Sequence, residues 1–314
     1  MSTYVITGGA GFIGAALAAH LGRAGHDVRV LDNLSAAESR RRAAALCDLP
    51  RVTLIEGDVR EAQTCRRVCA GAEYVLHHAA VASEDPALCA EVNTGGTVQM
   101  LEAARAAGTV QRFICASSGA VYGDTPAMCK HEAGQTDPLS PQASSLLSAE
   151  HFCRSAFRQH GLQTVCLRYF HVYGPGQSAA GDDAPVIARF LRALARRESP
   201  VLEGSGEQSR DFVYIDDVVE ANRRAVAAVR GVGGKVFNVG SGQRLSLNQL
   251  LERLEHLTGR RIEAQRAAPR PGDIKHLRAD ISAAAGLLQW TPTVGMEDGL
   301  ARTLQWVRAT AEKE

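Results

Sequence analysis

The sequence is short of aromatic residues: Phe, Trp and Tyr make up 5% of its 314 positions. That scarcity argues against stacking platforms for single-stranded nucleic acid. It also lacks an excess of either charge, since 35 Lys and Arg offset 34 Asp and Glu for a formal net charge of +1. No broad basic field is present to attract nucleic acid or an anionic membrane. No uninterrupted apolar run is long enough to span a bilayer. The N-terminus has none of the features of a signal peptide, because MSTYVITGGAGFIG runs straight into a strand and a glycine turn. Paired cysteine motifs are missing as well. Cys47, Cys65, Cys69, Cys89, Cys115, Cys129, Cys153 and Cys166 are scattered. Cys65 and Cys69 lie four apart, but no second pair and no neighbouring His completes a zinc pattern. The expectation is no metal and no disulfide, only small buried thiols in a reduced cytoplasm.

What remains is ordinary in bulk and specific in pattern. Hydrophobic residues make up 45% of the chain, enough for one large α/β unit or a large domain with a smaller one attached. Short apolar runs at Tyr4–Thr7, Asp27–Asp32, Val52–Asp58, Tyr74–Ala80, Arg112–Ser118 and Gln163–Phe170 read as buried strands. Ala/Leu-rich helical patterns such as Ala15–Ala24 and Thr97–Ala107 separate several of them. This alternation predicts a doubly wound parallel sheet, which Lys235–Gly242 rejoins late in the chain.

TGGAGFIG follows the first strand and opens a helix, so Gly8, Gly11 and Gly14 have the context of a dinucleotide-binding turn. Gly8 makes the sharp turn, Gly11 lets backbone N–H groups approach a pyrophosphate, and Gly14 lets helix and strand pack closely. The helix N-terminus favours the phosphate charge. Asp32, at the end of the second strand, is placed to accept from both adenosine ribose hydroxyls and to repel a 2′-phosphate, which selects NAD over NADP. Asp58, ending the third strand, is placed to meet the adenine.

Further along stand DNLS (Asp32–Ser35), GDVR (Gly57–Arg60), HHAA (His77–Ala80), NTGGT (Asn93–Thr97), SSGAVYG (Ser117–Gly123), RYFHVYGPG (Arg168–Gly176), GEQSRDFVYIDD (Gly206–Asp217) and FNVGSG (Phe237–Gly242). With TGGAGFIG these motifs, in this order and over essentially the whole chain, resemble the extended short-chain dehydrogenase/reductase family in its nucleotide-sugar epimerase and dehydratase branch. The resemblance implies a Rossmann domain of residues 1–170 plus about 212–242, and a smaller substrate-binding lobe of residues 171–211 and 243–314. It implies NAD between them, a nucleoside-diphosphate sugar in the cleft, and a homodimer formed through helices near Thr97–Ala107 and Ala143–Arg158. In such enzymes NAD removes hydride from a sugar carbon, commonly C4, and the ketosugar is re-reduced or first loses water or carbon dioxide.

By the same resemblance Phe12, Ile13, Asn33, Ser35, Val59, His78, Ala79, Ala80, Asn93, Ala116 and Tyr169 join the cofactor contacts. Ser83, Ser118, His171, Val186, Arg189, Arg210, Arg270 and Asp273 fall to the substrate. His171 stands where relatives carry an Asn that contacts the diphosphate. Arg210 and Arg270 match arginines whose guanidinium forks suit phosphate oxygens. Ser118 matches the serine that assists proton removal.

The main departure lies in PLSPQASSLLSAE (Pro138–Glu150). Relatives carry a Tyr-x-x-x-Lys pair here, and the pair's positions fall on Gln142 and Leu146. The i, i+4 spacing keeps both on one helical face. A tyrosine with a pKa near ~10 needs a neighbouring cation to ionise at neutral pH. Gln142 has no proton that titrates in that range, and Leu146 has no charge. Tyr122, His131, Glu132 and His151 are the nearby groups considered as stand-ins. Tyr122 reads as packing, His131 and Glu132 as a solvated loop, and His151 points away from Gln142. The loop between HHAA and Asp85–Pro86 is also shorter than in relatives. Two functions stay open: an enzyme with a non-standard proton-transfer residue, or a retired relative that binds NAD and a sugar nucleotide without turnover.

Overall fold

The computed structural model describes residues 1–181, 184–229, 231–269 and 274–311. Seven parallel strands form the central sheet: β1 (Thr3–Thr7), β2 (Asp27–Asp32), β3 (Val52–Glu56), β4 (Tyr74–His77), β5 (Arg112–Ser118), β6 (Thr164–Tyr169) and β7 (Lys235–Val239). Their spatial order is β7-β6-β5-β4-β1-β2-β3. The order reverses between β1 and β4, so the crevice outside their carboxyl ends is the place for a ligand in an open α/β sheet. For the seven strands of the sheet, the sequence pattern differs from the structure only at strand ends. Val52–Asp58 and Tyr74–Ala80 stop pairing at Glu56 and His77, and their last residues leave the sheet to line that crevice.

The helices are α1 (Phe12–Arg23), α2 (Ala37–Cys47), α3 (Ala62–Cys69), α4 (Pro86–Cys89), α5 (Gly96–Ala107), α6 (Pro141–His160), α7 (Val186–Ala195), α8 (Ile215–Ala227), α9 (Leu247–Thr258) and α10 (Met296–Ala311). A π-helical stretch, Ala90–Gly95, joins α4 to α5. α6 begins where its chemistry dictates: Ser140 caps it by accepting from the Ala143 N–H, and Pro141 sits in the first turn where its missing donor does no harm. It ends at Gly161, in the left-handed conformation with φ 71°.

Each face of the sheet carries a core. Ile6, Leu17, Val30, Leu76, Ile114 and Leu167 pack with α1 and α8 on one side. Val5, Val75, Met100, Phe113 and Cys115 pack with α3, α5 and α6 on the other. A further core holds Tyr173, Phe190, Leu191, Leu202, Leu250, Leu254 and Leu304, from α7, α9, α10 and short strand pieces. The chain passes between cores inside Phe212–Tyr214: Val213 faces the first, whereas Phe212 and Tyr214 face the last. That alternation is the period of two expected of a strand.

Candidate dinucleotide and nucleotide-sugar site

Gly8 has φ +60°, and a Cβ there would meet the Ala79 nitrogen at 2.7 Å. A Cβ on Gly14 would collide with the Gly8 carbonyl. These two positions therefore require glycine: one for the turn, one for the close approach of α1 to it. Gly11 is the N-cap of α1 and has no side chain to cap it, so the N–H groups of Phe12 and Ile13 are left for a ligand.

Gly8, Gly11, Asp32, Asn33, Ser35, Asp58, Val59, His78, Ala79 and Ala80, all expected from sequence, line one crevice of ≈ 220 Å³. Asp32 is steered by two backbone donors, with Oδ1 accepting from Leu34 and Oδ2 from Ala10. Arg60 hydrogen-bonds the Asp58 carboxylate and draws its pKa down to about 2. Asn33 adds a bond of 3.3 Å to the same carboxylate. Sequence reasoning missed Ala36 and Ser39 at the start of α2 and Val81 and Val92 at the rim, and, outside that lining, Arg42 farther along α2. The Arg42 guanidinium donates to the carbonyls of Ala10 and Gly176, strapping the glycine loop to the segment after β6. Its signal was its position, in the second turn of the helix that follows Asp32.

His78 carries a further mark of a ligand site. Its Nε2 lies 2.9 Å from the Tyr169 hydroxyl, which also meets the Asn222 amide. Its Nδ1 is shielded from solvent and has no hydrogen-bond partner of good geometry among the described residues. A buried polar atom left unpaired marks a place for an absent partner. Burial draws His78 down to about 4, so the imidazole is neutral at neutral pH. The steric cradle, the free helix amides, the acceptor at Asp32 and this orphaned nitrogen fit a dinucleotide.

Asn93 is held differently from the expectation of a cofactor contact. Its Oδ1 accepts from the Val81 N–H, and its amide donates to the Val81 carbonyl and to Ser145 Oγ. It positions the crevice rim against α6. Ser83 accepts from the Asp85 N–H, and Asp85 caps α4, so the short loop closes as a helix start.

On the sugar side, Ser118 ends β5 beside Tyr169 of β6, and Ala116 lies two residues earlier on the same strand. The Ser118 hydroxyl accepts from the Ala120 N–H at 3.1 Å, leaving its own proton to donate. Gln142 is the second residue of α6 and is half-buried. Leu146 is 7% exposed and shares an apolar cluster with Val121, Tyr122 and Phe170. Tyr122 is fixed as packing: its hydroxyl is 2.7 Å from Asn238 Oδ1, and burial drives its pKa up to about 12. Glu132 Oε1 accepts from the Asn238 N–H.

His171 and Arg210 stand together, because the strand pieces His171–Tyr173 and Phe212–Tyr214 pair in parallel. Burial, then the Arg210 charge, pushes His171 down to about 3, and its Nδ1 also lacks a partner among the described residues. At neutral pH it can meet a phosphate only as a neutral donor, with the cationic role left to Arg210. Arg210 donates to the carbonyls of Ser209 and Lys275. Asp211 does not supply its counter-charge; that carboxylate accepts from Ser241, Gly242 and Ala279. Arg189 pairs with Glu203 at 3.3 Å while its Nε is shielded and without a partner among the described residues. Val186 starts the same helix. Arg270 and Asp273 lie outside the described residues.

Comparison with known proteins follows this geometry. The chain is 31% identical over 310 residues to a putative UDP-glucose 4-epimerase of Methanocaldococcus jannaschii, covering 97% of this chain and 98% of that one. Its fold is similar to that of the UDP-N-acetylglucosamine 4-epimerase from Methanobrevibacter ruminantium, solved with UDP-N-acetylmuramic acid. The TM-score is 0.92 at 32% identity, over 98% of this chain and 99% of that one. The UDP-glucuronic acid 4-epimerase from Bacillus cereus, solved with UDP-glucuronic acid and NAD, gives 0.89 at 28% identity over 98% and 99%. Residues 4–240 match the NAD dependent epimerase/dehydratase family, and the chain belongs to it.

Proposed function

We propose that this protein transforms a UDP-linked sugar by oxidation and reduction at one sugar carbon, C4 in the first instance, with an unconventional proton path. The observation that supports this best is the retained ligand architecture: the dinucleotide crevice on one side, and Ser118, His171 and Arg210 on the other. Bound NAD supplies the reversible acceptor of hydride. The residues of this chain do the rest. Gly8, Gly11 and the α1 N-terminus orient the pyrophosphate, and Asp32 reads the adenosine ribose. Arg210 and neutral His171 hold the sugar's diphosphate. Ser118 donates to the sugar oxygen beside the reacting carbon. Gln142 holds a water that passes the proton to solvent. A missing general base usually costs about 10²–10⁴-fold in rate, so turnover is expected to be slow. The enzyme works as a homodimer through α5 and α6, where Phe152 is 46% exposed.

Leu146 favours a second reading. It is packed into an apolar cluster at the position from which relatives present a cation, which suits a protein that holds both ligands without turnover. Incubation with NAD and a panel of UDP-, dTDP- and GDP-sugars, followed by NMR, separates the two. The first expects an epimer, ketosugar, dehydrated or decarboxylated product. Calorimetric binding of both ligands with no product on long incubation supports the second. Failure to bind NAD sinks both.

A further inference from the structure

The fold gathers three thiols that no sequence spacing connects. Cys115 on β5 and Cys166 on β6 are register partners across the sheet, so their side chains emerge on the same face. Cys153 comes down onto them from α6. The three sulfurs lie within 4.8 Å of one another, and the residues are 1%, 2% and 0% exposed respectively. We propose that Cys115, Cys153 and Cys166 form a buried trithiol site for one trivalent thiophile of the arsenite class.

Geometry and charge both select this ligand. A centre with bonds of about 2.3 Å, as in zinc thiolates, spans sulfurs up to about 4 Å apart, so inward movement of under about 1 Å completes the site. Soft thiolates suit soft acceptors. The surroundings are apolar: Phe113, Ala149 and Leu162 belong to the same core. The nearby ionisable groups bring no net positive charge. His77, opposite Cys115 on β4, is held between the Thr7 and Thr97 hydroxyls. Glu150 is tied to Arg168. Three thiolates around a monovalent or divalent ion would leave uncompensated negative charge in that core, which desolvation penalises. A trivalent centre bonded to three sulfurs is neutral. The exchange is balanced without redox: three As–O bonds of arsenous acid and three S–H bonds break, three As–S bonds form, and each departing hydroxyl leaves with a thiol proton as water.

The test uses reduced full-length protein and arsenite, in buffer and in urea below the unfolding midpoint, which raises the population of opened protein. Mass spectrometry should show the gain of one arsenic less three hydrogens, and X-ray absorption three sulfurs on arsenic with no oxygen. Cys153→Ala, checked for a native circular-dichroism spectrum, should weaken binding by at least about tenfold, as loss of one of three soft ligands requires. Cys115→Ser serves if that variant misfolds. Cys69→Ala, in a separate buried pair with Cys65, should leave binding unchanged. A two-sulfur site with residual oxygen, an adduct that survives Cys153→Ala and disappears in Cys69→Ala, or no adduct in either solvent would overturn the proposal.

Discussion

At position 146 a leucine and a lysine would be held by the same helix but would serve different neighbours. Leu146 contributes its branched end to Val121, Tyr122 and Phe170, whereas a lysine could lay its stem along that cluster and send its ammonium to the crevice. Gln142→Tyr alone should therefore gain little, because a phenol near ~10 lacks the cation that would lower it. The pair Gln142→Tyr and Leu146→Lys should raise kcat by about 10²–10⁴-fold, the range of a positioned acid–base group. It should also give a pH–rate profile with a new limb on the acidic side, from loss of the phenolate. Steady-state kinetics of the single and double variants across pH checks this, and equal rates in all three would show that proton removal does not limit turnover. The family resemblance places this departure at positions 142 and 146 through the motifs that flank them. The role of Arg42 was not legible in sequence: it depends on two carbonyls 134 residues and 32 residues away.

Helix α6 is anchored to the sheet by charge as well as by apolar contact. Glu150 receives both Nε and Nη2 of Arg168 at 2.8 and 2.7 Å, and Ser117 donates to it at 2.5 Å. The guanidinium lies 4.6 Å over the Tyr122 ring. Both charged side chains are almost fully buried, so the pair's net worth is small, but breaking it strands one charge in the interior. Glu150→Gln should lower unfolding stability by about 3–5 kcal/mol. Replacing both partners, as Glu150→Leu with Arg168→Met, should recover most of that loss. Urea denaturation of the two variants decides it: a loss under about 1 kcal/mol for Glu150→Gln would mean that water already reaches the pair. The element itself was readable, since Ser140, Pro141 and Gly161 bracket a helical run. Its anchoring was not, because Glu150 and Arg168 meet only once β6 has been laid beside β5.

Over the whole molecule, the largest pH-dependent liability is a set of neutral histidines inside the fold. His77, His78 and His171 are all drawn below the ordinary histidine value, chiefly by burial, and His78 and His171 reach about 4 and about 3. They sit at the switch point of the sheet and at its junction with the last core, so they report on the whole assembly. Below pH 6.5 the unfolded chain binds protons on these rings that the folded chain does not, and stability must fall with pH. The stabilisation is complete above about 6.5 and is lost progressively down to the folded values. Each such ring contributes roughly 1.4 kcal/mol per pH unit within that window. Asp58 acts in the same direction lower down: held to about 2 by Arg60, it contributes stability above its unfolded value near 3.8 and loses it as pH falls toward 2. Urea unfolding from pH 8 to pH 4.5 should therefore show a flat region above about 6.5 and a decline below it. His171→Asn should make that decline shallower by up to about 1.4 kcal/mol per unit while keeping a neutral hydrogen-bonding group beside Arg210. An unchanged slope in that variant would mean that His171 is protonated in the folded protein, and its part in holding a diphosphate would then be that of a cation.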